Sequence, residues 1–291
     1  MNWKQTLFWS FSAAAIFYYF LLFGVFVFVG QEEMQLFIPE WWYIREFLFQ
    51  PGGFCAVAGQ WIIQYYRQPM SAVVFHTVLL VGCGFMVYRI LRCFSDKTYL
   101  LFLSLLPVLY LVKMSIHGEY LVDGTVGVVL MLLALSVSLK VRRAGSIAGY
   151  GIASTLFLCG LTGLLSVCYA FLYTLFALLR YKTSRQRLAA SACLIPALFI
   201  YLFSGWLGIP VPLSDGWMPE AYLEIQRLPH YYMYRVWTFF TLSIVGVALF
   251  ARFVPVIGEK SKWMDRVALV VCLITVLVSI RFCLNLGMRN A

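Results

Sequence analysis

The chain has 291 residues, 63% of them apolar and only 12% charged, with a net charge of +10. A soluble domain is roughly half apolar and a quarter charged, so this composition excludes a soluble globule and sends the excess apolar surface into lipid. No basic stripe with interleaved aromatic residues marks a soluble module, so nucleic acid is excluded as a partner and the positive balance reads as membrane topology.

The first apolar run, 7–30, is too long for the core of a signal peptide and long enough to span a bilayer. An outer segment, 31–70, follows. It opens with Gln31-Glu32-Glu33-Met34-Gln35 and continues with Glu40-Trp41-Trp42-Tyr43-Ile44-Arg45-Glu46-Phe47, which is too charged to span and too apolar for a free loop. Pro51-Gly52-Gly53 breaks it. Phe54, Val57, Ala58, Trp61, Ile62 and Tyr65 then recur at helical spacing, with Gln60, Gln64 and Arg67 on another face. This pattern predicts two amphipathic helices lying at the outer interface.

Further spans are predicted at 71–88, 99–112 and 121–139. Two shorter ones share 147–179 and fold near Gly160-Leu161-Thr162-Gly163, and another covers 188–205. An outer loop, 206–234, holds Pro210, Pro212 and a short helix after Pro219. Tyr231, Tyr232 and Tyr234 then lead as an aromatic belt into a span at 235–251, and a last span covers 267–286. The expected fold is therefore all-α: a polytopic membrane helix bundle of about nine spans, forming one transmembrane domain over 1–291. Its small residues, such as Gly145, Gly149 and Gly151, are expected at helix contacts.

Charge orients this bundle. On that reading fifteen Lys and Arg, from Lys4 through the Arg89–Lys97, Lys140–Arg143 and Arg180–Arg187 turns to Arg266, fall on one side with three acids. Six fall on the other side, with nine acids. The positive-inside rule then puts the N-terminus in the cytoplasm. The absence of an Asn-x-Ser/Thr sequon agrees with a bacterial inner membrane. The eight cysteines lie mostly inside apolar runs without a CxxC, so they read as small hydrophobes. His76 and Arg281 are ionisable groups within spans, both near enough to the outer interface to snorkel.

The candidate chemistry gathers on the outer side. Glu32 and Glu33 can bind a divalent cation or supply a general base; the competing reading is that they only end a helix in water. Gln64 and Arg67 suit a polar headgroup, since arginine grips phosphate with two parallel donors. His117, Glu119 and Asp123 form a second polar turn, in which Glu119 and Asp123 share a face if the fourth span starts early. Asp123 alternatively sits at a helix N-terminus, favoured by the dipole. His230 reads as an interfacial residue.

Two resemblances rest on these residues. The runs Gln31-Glu32-Glu33-Met34-Gln35-Leu36-Phe37, Pro51-Gly52-Gly53-Phe54 and Gln64-Tyr65-Tyr66-Arg67-Gln68-Pro69 resemble the start of an uncharacterised family of inner-membrane proteins from Bacteroidota. That resemblance implies an extracytoplasmic soluble domain following residue 291. The layout of the first 90 or so residues is similar to that of the GT-C glycosyltransferases, in which an acidic motif follows the first span and two surface helices lead into the second. It implies a polyprenyl-phosphate-linked sugar donor, with Glu32 and Glu33 as the acidic motif and Arg67, His117 or His230 near the donor phosphate. There is no Asp-x-Asp, and Glu-Glu is a weaker form of the motif. The leading expectation is a GT-C-like transferase acting at the outer face. Its rivals are a non-catalytic module that assembles with a protein partner and, third, a transporter, for which no internal repeat is visible.

Overall fold

The computed structural model describes residues 3–34, 37–95, 97, 99–117, 120–141, 143–203, 228–258 and 270. Every regular element among them is helical. The chain runs through α1 (Trp3–Phe23), α2 (Val25–Met34), α3 (Trp41–Leu48) and α4 (Gly53–Ile63), then a 3-10 turn (Gln64–Arg67). It continues through α5 (Pro69–Leu91), α6 (Leu100–Met114), α7 (Val122–Ser138), α8 (Ala144–Thr162) and α9 (Leu165–Arg180). Further along lie α10 (Ser184–Ser191), α11 (Leu194–Leu202) and α12 (Leu228–Gly258).

Among the described residues, four helical stretches are long and apolar enough to cross a membrane: Gln5–Phe23, Pro69–Leu91, Ala144–Thr162 and Arg235–Arg252. Three more, α6, α7 and α9, are apolar but shorter. With 15 residues, α6 reaches about 22 Å, less than the roughly 30 Å hydrocarbon core. The large side chains left outside the packing are what a lipid-facing surface needs. Phe11, Tyr18, Leu22 and Phe26 on α1 and α2, and Leu156 and Phe157 on α8, are all exposed.

The interior is built around α5 and α7. α5 packs on α1, α6 and α7, while α7 packs on α4, α8 and α9. Leu80, Leu91, Val108, Leu111, Met131, Leu132, Leu135, Tyr173, Phe176 and Phe240 are buried where these helices meet. Gly84 lets α1 approach: a Cβ there would stand 2.8 Å from the Trp9 ring. At Gly24 the first helix loosens without parting. Its N–H still reaches the Phe20 carbonyl at 2.8 Å, and its missing side chain makes room for the Phe28 ring.

Several sequence expectations meet the structure directly. The pair of helices predicted in 147–179 is α8 and α9, joined at Gly163, whose φ of 62° admits glycine readily. The two helices predicted in 31–70 are α3 and α4, parted by the Pro51 turn. The stretch expected as one span at 188–205 is instead divided into α10 and α11. The division falls at Ala192 and Cys193, the cap residues between the two helices, and α10 starts before the expected span, at Ser184, inside the stretch read as a basic turn. The expected loop 206–234 is shorter at its end, because α12 begins at Leu228. The remainder of that loop and the expected span 267–286, apart from Val270, lie outside the described residues, as do Cys272, Arg281 and Cys283. Of the glycines expected at helix contacts only Gly151 is packed, against Tyr173 and Cys193, whereas Gly145 and Gly149 face open space. The six described cysteines are free thiols, and Cys55, in the outer segment, is buried in α4.

Contacts sort the helix ends into two sets. At one end the Gln5 amide donates to the Tyr88 hydroxyl at 2.8 Å, the Tyr181 hydroxyl to the Val141 carbonyl, and Arg187 Nε to the Tyr181 carbonyl at 2.8 Å. Arg89, Arg92, Lys140, Arg143, Arg180, Lys182 and Arg185 sit in the same turns. At the other end α2, α4 and the starts of α5, α7 and α12 converge. Glu32, Glu40, Glu46 and Asp123 lie there.

Candidate functional site

At the acidic end one short segment, Tyr120 to Thr125, is gripped from three directions. From α2, the fully buried Gln31 amide donates to the Tyr120 carbonyl at 2.9 Å. From α4, Gly59 lies flush on Asp123: a Cβ at residue 59 would stand 2.6 Å from the Asp123 Cβ. From α12, the Trp237 indole donates to the Gly124 carbonyl at 3.3 Å, and Met233 packs where a Gly124 side chain would be. The Tyr120 ring is itself buried, and its hydroxyl accepts from Thr125 at 3.2 Å. This hub is polar yet packed, which holds its groups in one arrangement.

Asp123 stands in the first turn of α7, where its Oδ1 accepts the Gly124 N–H at 2.7 Å. The negative charge therefore faces the positive end of the helix dipole, as the second sequence reading expects. α7 begins at Val122, and Glu119 lies outside the described residues. Glu32 is half-buried on α2 beside Gln31. The Glu33 side chain lies outside the described residues, and so does that of His230. His117 is half-buried in the turn before the hub, where its N–H bonds to Met114 and its carbonyl takes the Tyr120 N–H.

Gln64 and Arg67 behave differently. Both are exposed on the 3-10 turn rather than drawn into the hub. Because that turn has three residues per revolution, the two still share a face, three apart. Gln60, expected alongside them, is turned instead toward α3 and accepts the Tyr43 hydroxyl at 3.2 Å. Partial burial pushes the Tyr43 phenol above its ordinary pKa, an effect only partly offset by that bond. Of the apolar stripe predicted on α4, Phe54, Trp61 and Tyr65 are exposed, as an interfacial helix presents to lipid, whereas Ile62 turns to the protein seat. The seat is made by Gly53, Cys55, Gly59, Ile62 and Ile63.

The turn is anchored by Tyr66, which is wholly buried between the exposed Tyr65 and Arg67. Its hydroxyl meets His76 Nε2 at 2.8 Å, and the imidazole stacks on Phe28 at 4.2 Å. His76 is thus fully buried and does not snorkel. Its Nδ1 has no hydrogen-bond partner among the described residues.

The elbow is pinned a second time at Gly52. Its N–H donates to the Gly160 carbonyl at 3.0 Å, and its backbone lies against Gly163 in the α8–α9 turn. Both Gly52 and Gly163 have positive φ, at 84° and 62°. A side chain on Gly53 would overlap the Phe47 carbonyl oxygen. The elbow is therefore a docked element with fixed contacts to α7 and to the α8–α9 hairpin.

A family model described as "Family of unknown function (DUF6057)" matches residues 1–285. The chain belongs to that family. No curated protein and no solved structure matches it.

In this DUF6057 chain the sequence-derived candidates thus divide. Asp123 and Glu32 adjoin the buried hub, His117 precedes it, and Gln64 and Arg67 lie on the outer surface of the elbow. Gln31, Tyr120 and Thr125, which make the hub, carry no sequence signal beyond being polar or aromatic near a helix end. Among the described residues no three His, Cys, Asp or Glu side chains come together as metal ligands.

Proposed function

We propose that this DUF6057 chain is a module of the bacterial inner membrane that acts at its outer face on a polyprenyl-phosphate-linked sugar, in the manner of GT-C glycosyltransferases. The supporting observation is the docked elbow: two short helices between α1–α2 and α5, held on Asp123, with the acidic end of α2 joined to the same hub through Gln31. The reading takes about nine spans: four from the long helices, three from α6, α7 and α9, one from the broken α10–α11 pair and one from 267–286. The N-terminus is cytoplasmic, because the basic turns gather at the end that holds Gln5.

In this reading Glu32 or Glu33 serves as the base that activates an acceptor hydroxyl, alone or with a divalent cation, and Asp123 supports it with negative charge. Exposure of Gln64 and Arg67 on one face suits contact with a lipid phosphate that stays at the interface, and His117 lies on the approach. A second reading, an assembly module without catalysis, is favoured by the same exposure. An arginine that stands outside the hub is as well placed for a partner protein as for a donor.

The test is native mass spectrometry of protein extracted from its own membrane, comparing wild type with Glu33→Gln, Asp123→Asn and Arg67→Ala. The expected result is a polyprenyl-phosphate lipid retained by wild type and lost in the variants. A partner protein retained in place of any such lipid would overturn the transferase reading in favour of the assembly module.

A further inference from the structure

At the opposite, basic end a surface groove of about 550 Å³ runs between the last turn of α9 and the whole of α10. Leu178, Ser184, Arg185, Arg187, Leu188 and Ser191 line it. Its size is within the range of small-ligand sites. Its chemistry is divided. Leu188 is 75% exposed and Leu178 43%, an arrangement unfavourable against water and suited to an acyl chain. The charged groups are all cationic: residues 180–203 contain Arg180, Lys182, Arg185 and Arg187 and no acid.

We propose that this groove binds an anionic phospholipid of the surrounding bilayer, its phosphate held by Arg185 and Arg187 and an acyl chain laid along Leu178 and Leu188. The site is independent of the outer hub. Arg187 is pre-positioned, since its Nε donates to the Tyr181 carbonyl at 2.8 Å and leaves the terminal nitrogens for an oxyanion. α10 begins at the groove with no side-chain cap on its first N–H groups; the Thr183 hydroxyl donates to the Gln186 side chain, and of those N–H groups that of Gln186 reaches the Thr183 carbonyl. Those N–H groups and the dipole favour a negative ligand. Arg180, at the same corner, has a buried Nη1 without a hydrogen-bond partner among the described residues. A free phosphate would use the cations but leave the leucines in water. A zwitterionic lipid would use the leucines but bring its own cation against the arginines. Only an anionic lipid satisfies both halves, as basic pockets between membrane helices do elsewhere.

The experiment reconstitutes the full chain in nanodiscs of phosphatidylcholine with a minority of phosphatidylglycerol or cardiolipin, and counts lipids retained after release in a native mass spectrometer. Wild type is expected to keep anionic lipid in preference to phosphatidylcholine, and Arg185→Gln with Arg187→Gln to reduce that retention by about tenfold, the effect of one lost charge-assisted contact or more. Because Arg187 also holds the Tyr181 carbonyl, Arg185→Gln and Leu188→Asn are measured singly as well; neither removes a described hydrogen bond, and each is expected to lower retention while the melting temperature stays unchanged. Excess inorganic phosphate is expected not to displace the lipid. Equal retention of both lipid classes, unchanged retention in all variants, or displacement by phosphate would each overturn the proposal.

Discussion

Gly59 of α4 lies directly on Asp123 of α7, so close that an alanine Cβ would come within 2.6 Å of the Asp123 Cβ and 2.9 Å of its Cα. The obstacle is backbone and a short side chain, neither of which can swing away. Gly59→Ala is therefore expected to push α4 off the hub and destabilise the protein by about 1–3 kcal/mol, the usual cost of overpacking. Thermal unfolding in detergent measures it. Gly145→Ala, at a glycine facing open space on an exposed face, is the control and is expected to leave stability unchanged or slightly raised.

The second pin of the elbow makes a parallel prediction. Gly52 and Gly163 face each other with positive φ, so alanine at either adds left-handed strain to lost proximity. Gly163 combines φ 62° with ψ −130°, a region closed to residues with a Cβ, whereas Gly52 sits near the left-handed helical well. Gly163→Ala is expected to lower the melting temperature more than Gly52→Ala. Both are expected to speed proteolytic cleavage between α3 and α4, read by mass spectrometry of the fragments.

The two pins also show what the sequence made legible and what it hid. Pro51-Gly52-Gly53 and Gly160 to Gly163 are readable as breaks, because glycine and proline punctuate apolar runs for local steric reasons. That the breaks meet one another is a long-range fact, and no local pattern carries it. The hub is hidden in the same way: Gln31 reaches a carbonyl 89 residues further on. The face by which α4 packs on the protein was hidden for another reason. Phe54, Trp61 and Tyr65 form an apolar stripe, but in a membrane protein such a stripe can face lipid while small residues make the protein contact. The break in 188–205 was hidden as well, because Ser191, Ala192 and Cys193, where α10 gives way to α11, are small residues within an apolar run.

Tyr66 and His76 permit a double-mutant cycle. Tyr66→Phe leaves His76 Nε2 buried without its partner and is expected to cost about 1–3 kcal/mol. Replacing both, as Tyr66→Phe with His76→Phe, removes the pair together and is expected to cost less than the sum of the single changes. Chemical unfolding of the four proteins gives the coupling.

The two ends of the bundle are expected on opposite sides of the membrane. Cysteine introduced at Gln64, on the exposed turn, is expected to react with an impermeant thiol reagent added to intact spheroplasts. Cysteine at Lys182, in the basic turn, is expected to react only after lysis. Labelling of both from the same side would reverse or break the topology.

The central claim is that the acidic end, elbow included, receives a lipid phosphate. Its most direct test is photo-crosslinking with a polyprenyl phosphate that carries a photoreactive group near the phosphate, followed by peptide mapping. The account predicts crosslinks in Gln60–Arg67 and in the 112–125 segment, lost in Arg67→Ala and competed by unlabelled polyprenyl phosphate. Crosslinks confined to the α9–α10 groove, or none above the level seen with a neutral polyprenol, would contradict it.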